Sequence, residues 1–171
     1  LSIVEKAIRQ TFKIQERLLW QVENAVVLGA GTIGLLGAML LRMKGINTHV
    51  LDRSESGGFK SRLIADFGGH HIDTRQTPLA EVAPDLGTID FVLEATGYAP
   101  LAFQAFQHLA PNGLACLLGV AGGSQEIWVD AVEFNNRMVL GNRLVFGSVN
   151  ASLVDFQSGA EHIQQINQMW P

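Results

Sequence analysis

The strongest constraint on the fold lies at residues 25–34. A short apolar run, Ala25-Val26-Val27-Leu28, leads into Gly29-Ala30-Gly31-Thr32-Ile33-Gly34, and an uncharged stretch continues to Leu41. Strand, glycine turn and helix in that order form a phosphate-binding unit in which each glycine has its own task. Gly29 allows the tight turn out of the strand. Gly31 has no side chain, so a diphosphate can approach the backbone, and Gly34 lets the helix lie close to the strand. The N–H groups of Thr32 and Ile33, at the positive end of the helix dipole, then face the phosphates. The competing reading is a transmembrane helix, because Asn24–Leu41 carries no charge over 18 residues, close to the ~20 that a span needs. Gly29, Gly31, Gly34 and Gly37 crowd the place where such a helix would have to be continuous, and only Arg42 and Lys44 flank it. They form no GxxxG packing pair either. A buried strand, turn and helix is the better reading, and no membrane is expected as a partner.

A carboxylate stands where this unit needs one. Asp52 follows Gly34 by 18 residues, at the end of a second expected strand, Asn47–Leu51. In a dinucleotide site that acid accepts hydrogen bonds from the adenosine ribose. It argues for NAD, since a 2′-phosphate beside it would meet like charge. Arg53 and Lys60 argue for NADP, because a neighbouring cation can accommodate that phosphate. The balance favours NAD over NADP and leaves dual use open. The bland alternative is a glycine turn that merely packs, with Asp52 a solvated loop acid.

The rest of the chain alternates. Leu1 to about Trp20 has apolar residues at helical spacing. Expected helices follow at Thr32–Lys44, Gly58–Phe67, Pro100–Leu109 and Ala131–Met138, with a last one capped by Ser152 and running towards Met169. Further strands are expected at His70–Ile72, Thr88–Glu94, Leu114–Leu118 and Leu144–Val149, with Gln125–Val129 pairing at an edge. A loop and turn surround Pro78 and Pro84. The first five strands read as apolar on both faces. Alternation of this kind produces parallel strands joined by right-handed crossovers. The expected fold is α/β: a doubly wound, mostly parallel six-stranded sheet of order 3-2-1-4-5-6. Residues 1–22 form a helical arm, and residues 23–171 form the dinucleotide-binding domain. Residue 1 is leucine and opens a helix already under way, so the expectation is a domain from a longer chain.

Composition removes other classes. Twelve Lys and Arg against 16 Asp and Glu leave a formal charge of −4, without the concentrated positive face that nucleic acid requires. A single cysteine excludes an internal disulfide framework and a cysteine-rich zinc site. Reducing surroundings, hence cytoplasm, follow as the default. Catalytic zinc needs about three protein ligands, but Cys116 reads as a buried inert thiol. His70 and His71 point to opposite faces of a strand, and His108 and His162 read as solvated surface groups. No metal site and no catalytic residue are therefore assigned in this chain. No GxSxG nucleophile motif is present.

Ligands of an open parallel sheet lie outside the carboxyl ends of its strands. Those ends read Glu94-Ala95-Thr96-Gly97, Gly119-Val120-Ala121 and Gly147-Ser148-Val149-Asn150, and small residues there leave room for a flat ring. Here a resemblance becomes specific. Val26 to Leu36 resembles the cofactor domain of zinc-type medium-chain dehydrogenases. Phe91 to Gly97, Leu109 to Gly113 and Leu140 to Asn150 narrow it to the C-terminal domain of glucose dehydrogenases of the archaeal and bacterial medium-chain type. The likeness covers essentially the whole chain, including Leu1 to Ala7.

The resemblance implies oxidation of an aldose or polyol, the aldose at C1, with hydride passing to the nicotinamide of NAD or NADP. Thr96, Val120 and Ala121 would border the nicotinamide half, Gly119 is counted with them as cofactor-binding, and Asn150 would sit nearest a sugar substrate. Zinc would be held by an N-terminal catalytic domain, so its ligands match no position here and the chain alone is expected to be inactive. A homodimer or tetramer built on the late strands is also implied. Three alternatives stand beside this reading: a non-catalytic NAD(H)-sensing module, a zinc-independent medium-chain reductase and, less favoured, a methyltransferase.

Overall fold

A computed structural model describes residues 1–124 and 126–171. Six strands form one sheet: β1 (Asn24–Leu28), β2 (Asn47–Asp52), β3 (His70–Asp73), β4 (Ile89–Glu94), β5 (Leu109–Leu117) and β6 (Leu144–Gly147). All neighbours are parallel and the order is β3-β2-β1-β4-β5-β6. The helices are α1 (Ser2–Gln15), α2 (Thr32–Met43), α3 (Phe59–Asp66), α4 (Leu79–Val82), α5 (Ala99–Gln107), α6 (Ala131–Leu140) and α7 (Leu153–Met169). The expected class and strand order are both present.

Strand β1 shows why the sheet is covered twice. Ala25 and Val27 belong to one core cluster, with Val4, Ile8, Ala38 and Leu41 from the helices. Val26 and Leu28 belong to the other, with Leu79, Ala102 and Phe106. Side chains alternate along a strand, so four consecutive apolar residues require a layer on each side. Val27 lies opposite Val50 on one flank and Leu93 on the other. From β1 the chain builds outward through β2 and β3, then returns to place β4 on the opposite side. The crevice at that reversal, between the carboxyl ends of β1 and β4, is the switch point of the fold. The uncharged run that could have been a membrane span is divided into β1, the glycine turn and α2, and among the described residues no helix is long and apolar enough to cross a membrane.

Several local expectations are corrected. Strand β5 begins five residues early, at Leu109, because a register shift between the pairs at Ile89 and Phe91 absorbs Pro111 and Asn112, the latter at φ 64°. An irregularity of this kind is where a sheet tolerates proline. Pro78 and Pro84 each open a helical turn, at α4 and at a 3₁₀ turn over Ala83–Leu86, in line with proline's fixed φ and missing donor. Residues 126–129 form no strand, and Gln125 lies outside the described residues, so among the described residues β6 is the sheet edge on that side. At the other edge β3 is not apolar on both faces, since His70 is exposed. Helix α1 stops at Gln15, whose buried side-chain amide donates to the carbonyl of Asn112.

Helices α1 and α7 are clasped together. Arg9 lies 2.8 Å from the fully buried carboxylate of Asp155, which also closes a capping box with Ser152 at the start of α7. Glu5 meets His162 at 2.6 Å, so His162 is paired rather than simply solvated. Burial alone would raise the Asp155 carboxyl, but the hydroxyl and amide of Ser152 and the guanidinium of Arg9 outweigh it and hold it below the ordinary 3.8. The stabilisation is therefore complete above that value and is lost as pH falls below it. Asp155→Ala removes cap and ion pair together, so urea denaturation at pH 7 should show a loss of about 2–3 kcal/mol, with a smaller difference from the parent at pH 3.

Candidate functional site

At the end of β1, Gly29 adopts φ +100° and donates its N–H to the carbonyl of Leu51 at 2.7 Å. Ala95, just past β4, donates to Leu28 at 2.9 Å. The turn is thus tied to the strands on both sides of the crevice. Gly31 is the N-cap of α2; no side chain caps this helix and its first turn holds no acid. The first N–H groups of a helix have no partner within it, so those opening α2 remain available to an anion.

The glycines are small for different reasons. A Cβ on Gly34 would lie 1.8 Å from the carbonyl oxygen of Gly29, and one on Gly29 would lie 2.8 Å from Cγ2 of Thr96. A Cβ on Gly31 would meet nothing within 4 Å. Gly29 and Gly34 therefore let the protein pack against itself, whereas Gly31 opens onto free space above the helix start. That vacant approach fits a diphosphate.

Asp52, at the end of β2, is turned into the protein. Its Oδ1 accepts from the Ser54 amide at 2.9 Å, from the Ser54 hydroxyl and from His71 Nε2 at 2.9 Å, while Lys60 Nζ lies 3.5 Å from Oδ2. Only 9% of the side chain is exposed. Burial opposes its ionisation, yet hydrogen bonds from Ser54 and His71 and the charge of Lys60 hold its carboxyl below the ordinary value. The expected NAD preference rested on like-charge repulsion between this carboxylate and a 2′-phosphate, but Oδ1 is occupied by the chain's own donors and Oδ2 lies beside the Lys60 ammonium. Arg53 remains exposed. Gly29, Ala30, Asp52, Arg53, Thr96 and Tyr98 line one open cleft of about 630 Å³.

Across the crevice, buried Glu94 shapes the turn after β4. Its Oε1 accepts from the Thr96 N–H at 2.6 Å, the Gly97 N–H at 2.9 Å and the Thr96 hydroxyl. The Thr96 hydroxyl oxygen accepts from the Tyr98 N–H at 2.8 Å. A Cβ on Gly97 would lie 2.6 Å from the Val120 carbonyl oxygen, and one on Gly119 would lie 2.0 Å from the Gly97 nitrogen. These two glycines are small because two loops pack on each other, a different reason from the ring space expected.

The site residues read from the sequence divide accordingly. Gly29, Asp52, Arg53 and Thr96 share the cleft, with Gly31, Thr32, Ile33 and Gly34 at its helix end. Gly119 backs the Thr96 turn, and Val120 and Ala121 continue as exposed loop beside it. Asn150 is exposed at φ 62°, past β6 and three strands from β1. The residues that reading missed are the supporting ones: Ser54, His71 and the carboxylate role of Glu94. The β2–β3 register, with Val50 opposite His71 and Asp52 opposite Asp73, was the signal for His71. Once β3 is placed beside β2, residue 71 pairs with residue 50 and lies diagonally from residue 52 on the same face of the sheet. Among the described residues no group of three or more His, Cys, Asp and Glu could hold a metal ion. Burial pushes the Cys116 thiol up to about 12. These residues do not fit a zinc centre.

Gly34→Ala forces a methyl group onto backbone that no rotamer change can relieve. Thermal or urea unfolding should show a loss of about 3 kcal/mol or more, or failure to fold.

Comparison with known proteins agrees with this geometry. The family model described as glucose dehydrogenase C-terminus matches residues 1–171. Glucose 1-dehydrogenase of Methanocella arvoryzae is 36% identical over 171 residues, covering 100% of this chain and 48% of that one. The Haloferax mediterranei glucose dehydrogenase in complex with NADP, Zn and gluconolactone superposes with a TM-score of 0.88 at 35% identity, over 96% of this chain and 46% of that one. An alcohol dehydrogenase of Thermotoga maritima, 21% identical, shares the fold with a TM-score of 0.81 over 99% of this chain and 46% of that one. The chain spans about half the length of the curated relatives it matches.

Proposed function

Because the chain belongs to the glucose dehydrogenase C-terminal family of the medium-chain dehydrogenases, we propose that it is the cofactor-binding half of an NAD(P)-dependent glucose dehydrogenase. Residues 1–22 would join it to a catalytic part. One observation carries the reading: an uncapped helix start, open above Gly31, at the switch point of a parallel sheet. When bound, the nicotinamide would supply the redox chemistry as a hydride acceptor. Everything the chain contributes is binding and orientation.

The amides opening α2 hold the diphosphate. Thr96, fixed by Glu94, and the loop at Gly119, Val120 and Ala121 form the rim along which the nicotinamide half lies, with Asn150 towards the substrate. Arg53 and Lys60 face the adenosine end. With Asp52 Oδ1 already engaged by Ser54 and His71 and Oδ2 beside Lys60, that end accepts a 2′-phosphate, so NADP is used as well as NAD. The NADP bound by the Haloferax mediterranei relative supports this choice. Zinc, present in the same relative, finds no fitting residues among the described residues of this chain. The free edge at β6, beside exposed Val139 and Leu140, supports pairing of two copies.

Calorimetric titration should give saturable, one-to-one binding of NADP and of NAD. Binding of S-adenosylmethionine without either dinucleotide would overturn the reading. Gly31 has φ −81° and open space, so Gly31→Ala should change stability by less than about 1 kcal/mol. It should weaken either dinucleotide at least about tenfold, the methyl standing where the diphosphate approaches. Light scattering at high protein concentration should show a dimer, and a monomer would remove the edge-pairing proposal.

A further inference from the structure

Three buried side-chain nitrogens have no hydrogen-bond partner among the described residues, and the one on His71 belongs to a side chain that touches Asp52 of the proposed cofactor cleft. His71 lies on β3, its side chain 3% exposed, on a strand whose neighbouring His70 is exposed and stacks on His49 with ring centroids 5.0 Å apart. Its Nε2 reaches Asp52 Oδ1 at 2.9 Å and the Ser54 hydroxyl at 3.2 Å. Its Nδ1 is buried without a partner among the described residues. A buried imidazole with one unsatisfied nitrogen is a net cost to folding, and packing alone would be served better by leucine. Asp52 is acceptor-only when ionised, so the ring hydrogen sits on Nε2 and points at Oδ1.

That single contact has a consequence for the adenosine end. A carboxylate that discriminates for NAD presents both oxygens to the ribose diol and repels a 2′-phosphate. Here Oδ1 is filled by Ser54 and His71, and Oδ2 is left beside the Lys60 ammonium. The three donors come from three elements: the loop after β2, strand β3 and helix α3. We propose that His71 is a positioning residue for cofactor choice: it holds the Asp52 carboxylate away from the adenosine 2′ position, so that a 2′-phosphate is admitted beside Arg53 and Lys60. His71 touches no ligand itself. The inference rests on the cofactor-site reading above and adds the residue that sets its selectivity.

The test is equilibrium titration of the full-length protein with NAD and with NADP, reporting the ratio of the two affinities. His71→Leu removes the one donor that reaches Oδ1 from β3, leaving those of Ser54, and should move that ratio towards NAD at least about fivefold, mostly through weaker NADP binding. His71→Gln restores an N–H donor and should return most of the ratio. In an Asp52→Asn background, His71→Leu should leave the ratio unchanged, since the histidine acts through the carboxylate. A purely structural role would weaken both dinucleotides together and keep the ratio, and that result overturns the inference while leaving the cofactor site intact. A ratio shift that persists in the Asp52→Asn background also overturns it. If neither dinucleotide binds the unaltered protein, the site reading falls, and the inference falls with it.

Discussion

Helix α2 lies where it does only because residue 34 carries no side chain. The space a Cβ would need is filled by the carbonyl oxygen of Gly29, so strand, turn and helix form one rigid corner. That corner directs the open end of the helix at the crevice between β1 and β4. The two core clusters hold the sheet on which the corner sits, but the position of the uncapped amides that open α2 depends on this contact between two glycines.

On the opposite wall a charge does comparable work. Glu94 is 2% exposed, and a buried carboxylate is tolerated only when hydrogen bonds satisfy it. Its partners are the backbone and hydroxyl of the very turn that borders the cleft. Two different devices, a missing side chain and a buried acid, therefore shape the two sides of one site. Asp52 is the third element, its Oδ1 engaged by Ser54 and by the buried His71.

Most of the fold was legible because periodicity and glycine placement act locally. Val26 and Val27 need cover on both faces, and Gly29, Gly31 and Gly34 fall at the spacing a strand-to-helix turn demands. The proline of β5 misled because a register shift, set by the neighbouring strand, let Pro111 stay inside the sheet. The purpose of Gly97 and Gly119 was hidden for the same reason, since each is small against the other's loop. His71 was invisible as a partner of Asp52 until β3 lay beside β2. Residues that touch a ligand reveal themselves by motif, whereas those that hold them in place depend on tertiary neighbours.

The Glu94 turn is ordered in advance of any ligand. Thr96 and Gly97 are already held by the same carboxylate oxygen before anything enters the crevice, so the freedom of two backbone residues, about 1–2 kcal/mol each, has been surrendered during folding. A molecule arriving there meets a preorganised wall and keeps the full benefit of each contact it makes.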